Sequence, residues 1–464
     1  MVAWSTTFWI RPREANLEMI PELSDHVGGQ IRIPGEVNVP VSPRVRAVLD
    51  TEAVQRLKKI SQLGLVTHVY PGATHSRFEH SLGVYRLALL VIRQLIAVEP
   101  DWARRLDSDS LSVFLLSALL HDVGHWPFCH PIEDLGLDWV PRHEDLARRW
   151  LCEGELADVI RRQWGVDPAR VADFLAPARR ADSDVESVLR SVLNGPVDID
   201  KMDYLQRDSL HAGVPYGQNF DLLRLVGALI IDQPRHCLAI TEKGKTAAEM
   251  LVFGRYVMFS EVYWHHAVRS ATAMLQRLVF HLGPYCHPHQ WMEASDHDFI
   301  TMLQQSAAAH QPALVDYAAG LFGTRRRLFK RVLQFNYAQQ PELYRQLANA
   351  SYATLEQLAG RLAQRLSRRT GQAWDPWQVL IDAPPSKLEV QFDLRVRDSA
   401  GSDALVHLAQ VSPVVQALAT EQFDQHVKRV RVYIAPDRAR SMNQRSLDVL
   451  TELQAAWAEE HGDA

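Results

Sequence analysis

The 464-residue sequence is poor in cysteine: Cys129, Cys152, Cys237 and Cys286 are the whole set, and no two form a CxxC pair. That scarcity excludes a disulfide framework and a zinc knuckle, and it reads as reduced thiols in a cytoplasmic protein. Positive charge is short as well, with 50 Lys and Arg against 55 Asp and Glu and a net charge of −5. The basic field of a dedicated nucleic-acid binder is missing, so any cationic site must be local. No apolar run approaches the ~20 residues that span a bilayer; the longest candidate, Leu111–Leu120, is ten residues before it meets His121 and Asp122. The start, MVAWSTTFWIRPREANLEM, lacks the basic, apolar and small-residue parts of a secretory signal, so export is not expected. Internal repeats and low-complexity segments are absent too.

What is present is an ordinary globular composition, 47% apolar and 23% charged. At about 100 to 200 residues per folding unit, this length predicts two or three units. From Gly28 to Pro43 the residues QIRIPGEVNVPV alternate around Pro and Gly and predict a short ribbon. Apolar residues then recur every three or four positions through Val45–Leu63, Arg77–Ile96, Leu111–His121, His143–Trp164, Val185–Leu193, Lys201–Leu210 and Phe220–Ile230, a helical bundle. Thr246–Leu282 reads as one long helix, followed by helices near Asp298–Ala308, Ala313–Ala319 and Thr354–Ser367. Beyond Gln372, VLIDAPPSKLEVQFDLRVR, ALVHLAQ and VKRVRVYIA carry β-type alternation, and Ser441–Trp457 closes as a helix. The expected fold is mainly α with a small α+β C-terminal part. Its divisions are an N-terminal extension and ribbon over 1–45, a helical core over 46–330, and a helical and α+β region over 331–464.

Chemistry concentrates in three segments, HSRFEHS, HDVGH and DIDKMDY, at or near helix ends. Two imidazoles and two carboxylates, from His80, His121, Asp122 and Asp200, would neutralise a divalent cation and leave positions for water and a phosphate oxygen. The sharpest signal is Asp122, where a charge ends a ten-residue apolar helix. Burying it costs several kcal/mol unless it is paired or bound to metal. His125 lies one turn beyond His121 and His130 follows a tight WPFC connection, so both are placed to reach a bound phosphate. Arg77, three residues before His80, and Lys201, next to Asp200, are the nearest cations for a polyphosphate.

These segments, taken in order, resemble the HD-domain phosphohydrolases, in the branch of deoxynucleoside triphosphate triphosphohydrolases. The matching stretches are QRLKKISQLGLVTHVYPGATHSRFEHSLGVYRLA, LLHDVGHWPFCH, DIDKMDYLQRDSLHAGV and, more weakly, RYVMFSEVYWHHAVRSATAML. The resemblance implies an HD-type helical bundle in which His80, His121, Asp122 and Asp200 hold one iron, manganese or related divalent ion, with Mg²⁺ allowed alongside the nucleotide. It implies attack of metal-activated water on the α-phosphorus of a dNTP, releasing deoxynucleoside and triphosphate. His125 and His130 would touch the phosphates, and Glu133 and His143 would form the carboxylate–histidine pair that protonates the leaving 5′-oxygen. Asp198 and Asp203 read as caps or surface residues.

The same resemblance places Arg255 on the triphosphate and builds a wall against a 2′-hydroxyl from Gln62, Leu63, Tyr204, Asp208 and Tyr263. It also implies a homo-oligomer, with a tetramer favoured, and a nucleotide effector. Asp50 and Gln55 would read a guanine, while Arg326, Leu328 and Lys330 would meet the effector phosphates. The chain departs from the family pattern at Trp126, where glycine is usual and where the indole is expected to narrow the site mouth. It departs again at His266, where the animal relative has lysine, and at QIRIPGEVNV, where the family ribbon carries DPxHG. Two alternatives remain open. One is a 5′-nucleotidase or another nucleotide phosphohydrolase; the GYP signature of cyclic-dinucleotide hydrolases is absent. The other is a non-catalytic nucleotide or single-strand-binding module, kept open by the basic run Arg325–Arg331 although the net charge disfavours it.

Overall fold

In the computed structural model, described over residues 20–24, 28–35, 37–176, 180–383, 393–397, 404–418, 426–442 and 448–461, the architecture is built around one helix. Arg77–Val98 starts where the Ser76 hydroxyl accepts the Glu79 N–H. By length and composition it could cross a bilayer, more so than Leu111–Leu120, but 67% of its apolar window lies inside the protein. It is the core helix of the bundle. Ser108–Leu120 and Ile199–Ala212 pack on it, the first capped by Asp107 and the second by Asp198, whose carboxylate accepts the Lys201 N–H. With 65% helix and 10% strand among the described residues, the fold is mainly α as the sequence implies.

Two glycines set how closely these pieces approach. A Cβ on Gly83, in the core helix, would overlap the Asp203 carboxylate and the Arg207 guanidinium of Ile199–Ala212. A Cβ on Gly124, inside HDVGH, would overlap the His143 carbonyl and the Ala147 backbone nitrogen. The HDVGH segment therefore lies at backbone-contact distance from the helix that begins at His143, and Gly83 leaves room for the Asp203 and Arg207 side chains.

The ribbon forms as expected: β1 (Gln30–Ile33) pairs antiparallel with β2 (Val37–Pro40), Ile31 opposite Val39. Several helices predicted as single pieces are broken. Val45–Leu63 becomes Pro43–Leu49, Glu52–Arg56 and a 3₁₀ turn at Leu57–Lys59, and His143–Trp164 divides at the extended Glu153. Thr246–Leu282 separates into Lys245–Met258, a wide π-turn at Phe259–Tyr263, and His266–Leu282. The break follows FSEVYWHH, where bulky and β-branched side chains crowd a continuous α-helix.

Phe220–Ile230 is helical only over Leu222–Val226. Its end enters β3 (Leu229–Asp232), which pairs with β4 (Cys237–Thr241). Every residue of β3 is buried, so no alternation marked it as a strand. β5 (Lys330–Asn336) and β6 (Val379–Asp382) flank β9 (Arg429–Ile434), all antiparallel. β7 (Arg395–Arg397) runs parallel to β4 and pairs with β8 (Leu405–His407), after which ALVHLAQ turns helical at Leu408. Residues 384–392 of the expected strand region and 443–447 of the expected last helix lie outside the described residues; the helices there are Pro436–Met442 and Val449–His461.

The β5–β9–β6 sheet lies between two apolar cores. Leu380 and Tyr433 join Trp126, Trp291 and Leu278, while Val379, Ile381 and Val432 face Leu358, Leu362 and Leu453, the alternation a two-sided strand requires. Arg269 in His266–Leu282 pins the sheet by bonding Asp382 at 2.5 and 3.1 Å. Replacing Gly124 by Ala should cost on the order of 1–3 kcal/mol through overpacking, read as a lowered denaturation midpoint; an unchanged midpoint would refute the close approach.

Candidate metal centre

The three segments meet at one point. His80 stands in the first turn of the core helix, His121 and Asp122 follow the last turn of Ser108–Leu120, and Asp200 opens Ile199–Ala212. His80 Nε2 and His121 Nε2 are 3.2 Å apart. Asp200 Oδ1 lies 2.9 Å from the first and 3.7 Å from the second, and Asp122 Oδ1 lies 3.5 Å from His121 Nε2.

Each histidine has its other nitrogen engaged by an acceptor: His80 Nδ1 faces Asp203 Oδ2 at 2.8 Å, and His121 Nδ1 faces the Ala118 carbonyl at 3.0 Å. The Nε2 lone pairs are thereby directed at one another and at two carboxylate oxygens. Donors at right angles on a cation with bonds of about 2.1 Å are about 3.0 Å apart, so His80, His121 and Asp200, whose ligand atoms lie within 4.8 Å of one another, fit a divalent ion, with Asp122 Oδ1 beside His121.

The charges agree with that fit. Burial pushes the His80 imidazole down, but its bonds to Asp200 and Asp203 more than offset this and hold it at about 10. A proton thus occupies the position that a cation would take. Burial also opposes ionisation of Asp122, yet His125, Arg77, His121 and His80 around it keep its carboxyl well below the usual range. Arg77, expected on the triphosphate, places NH1 on Asp122 Oδ2 at 2.8 Å and is itself buried. Asp200 is similarly held low: burial raises it, and its hydrogen bond from His80 lowers it further. Its side chain is 35% exposed, which leaves the centre open on that side.

The residue the sequence reading missed is Asp203. Expected as a cap or surface residue, it is buried and orients His80, as outer carboxylates do for metal-bound imidazoles. The signal was its i, i+3 relation to Asp200 on one helix face. Arg207 grips both Asp203 oxygens at 2.8 Å and reaches Glu79 at 2.6 Å. Glu79 accepts from His211, whose ring stacks on His75 at 4.3 Å, and His75 bonds Asp208 at 2.8 Å. Tyr263 then donates to Asp208 at 2.6 Å. A chain of hydrogen bonds, bridged by the His211–His75 stack, therefore joins the expected sugar-pocket residues Asp208 and Tyr263 to the metal-facing histidine. Asp198, the other flanking carboxylate, is a cap as expected, although fully buried.

Beside the centre lies a second histidine group. Phe128 adopts φ +55°, a left-handed turn rare outside glycine, and this reversal brings His130 Nε2 to 3.2 Å from His125 Nε2. His143 lies against His125 with ring centroids 4.2 Å apart and planes tilted by 34°. Its Nδ1 donates to Glu133 Oε1 at 2.9 Å and its backbone N–H to the same oxygen at 2.7 Å, so the expected pair forms across ten residues. Burial raises the Glu133 carboxyl, but bonds from His130 and His143 outweigh it and hold the group far below the ordinary carboxylate range.

The remaining residues divide. Lys201 caps its own helix, Nζ bonding Asp198 at 2.5 Å and the Gly195 carbonyl at 3.1 Å, so its ammonium is engaged away from the four metal-facing groups. Arg255 lies over the Phe259 ring at 5.5 Å, and its charge acts on Tyr204 and Tyr263, whose phenols are raised first by burial. Gln62 joins the Arg77 segment by donating its N–H to the His75 carbonyl at 2.9 Å, and its buried Oε1 has no hydrogen bond. Leu63 is half-buried next to it. Trp126 does not line a mouth: it is 1% exposed among Cys129, Ile132 and Met274, because the chain turns inward after His125.

Of the expected effector residues, Arg326, Leu328 and Lys330 line a cavity of about 480 Å³ with Arg331 and His266. Asp50 is exposed at the end of Pro43–Leu49, and Gln55 donates to the Leu49 carbonyl at 2.7 Å; neither lines that cavity.

Removing Asp122 (Asp122→Ala) should abolish metal binding, and Asp203→Asn should weaken it by about 10- to 100-fold, read by calorimetric titration. Because the cation displaces a proton from His80, affinity should rise with pH up to about 10 and each binding event should release protons. Identical affinities in the Asp203→Asn and parent proteins, or no proton release, would contradict the arrangement.

The family model described as "HD associated region" matches residues 220–458, just over half of the chain. The uncharacterized protein YwfO of Bacillus subtilis is 35% identical over 235 residues, 50% of each chain. The deoxynucleoside triphosphate triphosphohydrolase SAMHD1 of Gallus gallus is 31% identical over 258 residues, 49% of this chain and 40% of that one. The chain thus spans about half the length of these curated relatives or less. A phosphohydrolase structure from Bacteroides thetaiotaomicron superposes with a TM-score of 0.63 at 21% identity, covering 88% of this chain and 99% of that one, which shows a shared fold. The histidine and aspartate segments converge as the family resemblance requires, and the family model covers the region that follows them: the chain belongs to the HD-domain proteins that carry the HD-associated region.

Proposed function

We propose that the protein is a metal-dependent triphosphohydrolase that cleaves dNTPs to deoxynucleoside and triphosphate, working in a reducing cytoplasm that suits its free cysteines. The observation that carries this reading is the contact between two units: the His80, His121, Asp122 and Asp200 centre, and the Glu133–His143 pair reached through His125, whose Nδ1 is 3.1 Å from Asp122 Oδ1. The printed activity of the Gallus relative supports the substrate class. A divalent ion held by the four residues would activate water and stabilise charge on the phosphoryl oxygens.

The chain's own groups do the rest. Glu133 remains ionised and holds His143 by Nδ1, which leaves Nε2 to deliver a proton to the departing 5′-oxygen as the P–O5′ bond breaks. His125 and His130 face the α-phosphate, Arg77 keeps Asp122 ionised and aimed, and Arg255 supplies positive charge near the Tyr204 and Tyr263 phenols. Asp208, fixed between His75 and Tyr263, supports a rigid sugar pocket in which a 2′-hydroxyl would be crowded.

A second reading, regulation of a homo-oligomer by a bound nucleotide, is favoured by the cavity at Arg326, Leu328, Lys330 and Arg331, whose cations suit a triphosphate.

Hydrolysis of a dNTP in ¹⁸O-water should put the label in triphosphate and none in the nucleoside, with ribonucleotides cleaved poorly. Label in orthophosphate or nucleoside monophosphate, with no triphosphate formed, would instead assign a different nucleotide phosphohydrolase, and an absence of any cleavage would leave a binding module. Activation by GTP or another dNTP should shift apparent affinity by about 5- to 150-fold and should be lost in Lys330→Ala. Hyperbolic kinetics with every nucleotide mixture, together with a monomer in light scattering, would remove the regulatory reading.

A further inference from the structure

We propose that His125, His130 and His143 form a second cation site, selective for an imidazole-preferring ion such as Zn²⁺, and that filling it switches hydrolysis off. One ring nitrogen from each histidine lies within 4.8 Å of the others. His125 Nε2 and His130 Nε2 face each other at 3.2 Å, and His143, with Nδ1 engaged by Glu133, has Nε2 as its free nitrogen.

Carboxylates stand behind all three rings: Asp122 Oδ1 is 3.1 Å from His125 Nδ1, Glu133 Oε2 is 3.7 Å from His130 Nδ1, and Glu133 Oε1 is 2.9 Å from His143 Nδ1. Of these, the Glu133–His143 contact is a hydrogen bond of the outer-shell kind that fixes the tautomer of a metal-bound imidazole, and the other two are looser charge contacts. His130 is 57% exposed and provides the entry path, while the His125 and His143 side chains are 6% and 20% exposed.

The donor chemistry separates the two sites. Three neutral nitrogens plus a water complete the four-coordinate shell of zinc and offer little to Mg²⁺ or Mn²⁺, which prefer oxygen. The first centre, with two carboxylates, accepts those harder ions. Asp122 lies between them, one oxygen 3.5 Å from His121 Nε2 and 3.1 Å from His125 Nδ1. A cation on His143 Nε2 takes the lone pair that would carry the proton for the leaving oxygen. Metal and proton are mutually exclusive at that atom, so occupation stops proton delivery without displacing the first ion. The switching half of the inference rests on the proposed hydrolysis; the site itself does not.

The test strips the full-length protein with chelator, adds excess Zn²⁺, and measures metal retained after gel filtration. The parent protein should keep two equivalents, Asp200→Asn one, and both His130→Ala and His143→Gln one. Because His130 projects to solvent, its replacement leaves the apolar core untouched. One equivalent in the parent, or two in both histidine variants, overturns the site. In parallel, turnover of Mn²⁺-loaded parent protein should fall on the order of 100-fold when one equivalent of Zn²⁺ is added and the bound Mn²⁺ is retained, the loss expected when a general acid is withdrawn. Two bound equivalents with undiminished turnover overturn the switch. Two equivalents in a protein that cleaves no dNTP uphold the site and count only against the substrate reading.

Discussion

A carboxylate buried at the end of an apolar helix governs the rest of this structure. Asp122 is 5% exposed and follows ten residues that are all buried. Such a charge persists only if the surroundings neutralise it. Arg77 meets one oxygen, while His121 and His125 lie near the other. Arg77 comes from the first turn of the core helix, which also presents His80, so neutralising one aspartate already aligns half of the metal-facing donors.

The remaining order follows from close packing. Gly83 lets Ile199–Ala212 press on the core helix, which places Asp200 and Asp203 on opposite nitrogens of His80. Gly124 lets the His143 helix press on HDVGH, which places His143 over His125. The His143 helix could not approach as closely over a side chain at Gly124. Through Arg207, Glu79, His211 and His75, the same packing ties the metal-facing imidazole to Asp208 and Tyr263. The residues expected to recognise the sugar and those expected to hold the cation are therefore linked by hydrogen bonds and by the stack of His211 on His75.

Much of this was legible in the residues. The pattern of HSRFEHS, HDVGH and DIDKMDY marks donors at helix ends, and the charge following LSVFLLSALL demands a partner. Less was legible where the decisive contact is made by a residue far away in sequence. Asp203 looked like one acid among several, because its meaning depends on His80, 123 residues earlier. Lys201 looked like a phosphate ligand by adjacency to Asp200, but the nearer Asp198 captures it as part of a helix cap. Trp126 looked like a gate, although the turn at Phe128 carries the chain inward and the indole with it. In the fold, β-branched enrichment marked β6 and β9 although both are almost wholly buried, whereas β3, equally buried, was absorbed into the helical spacing that precedes it. The π-turn at Phe259–Tyr263 was hidden because apolar spacing continues through it.

The central claim is that four side chains, brought together by one buried aspartate, hold one cation. Anomalous diffraction at the manganese edge from crystals of the full chain grown with Mn²⁺ addresses it directly. The account predicts a peak within coordination distance of His80 Nε2, His121 Nε2 and carboxylate oxygens of Asp122 and Asp200. A peak held by other residues, or none at this position in a crystal that shows manganese elsewhere, would contradict it.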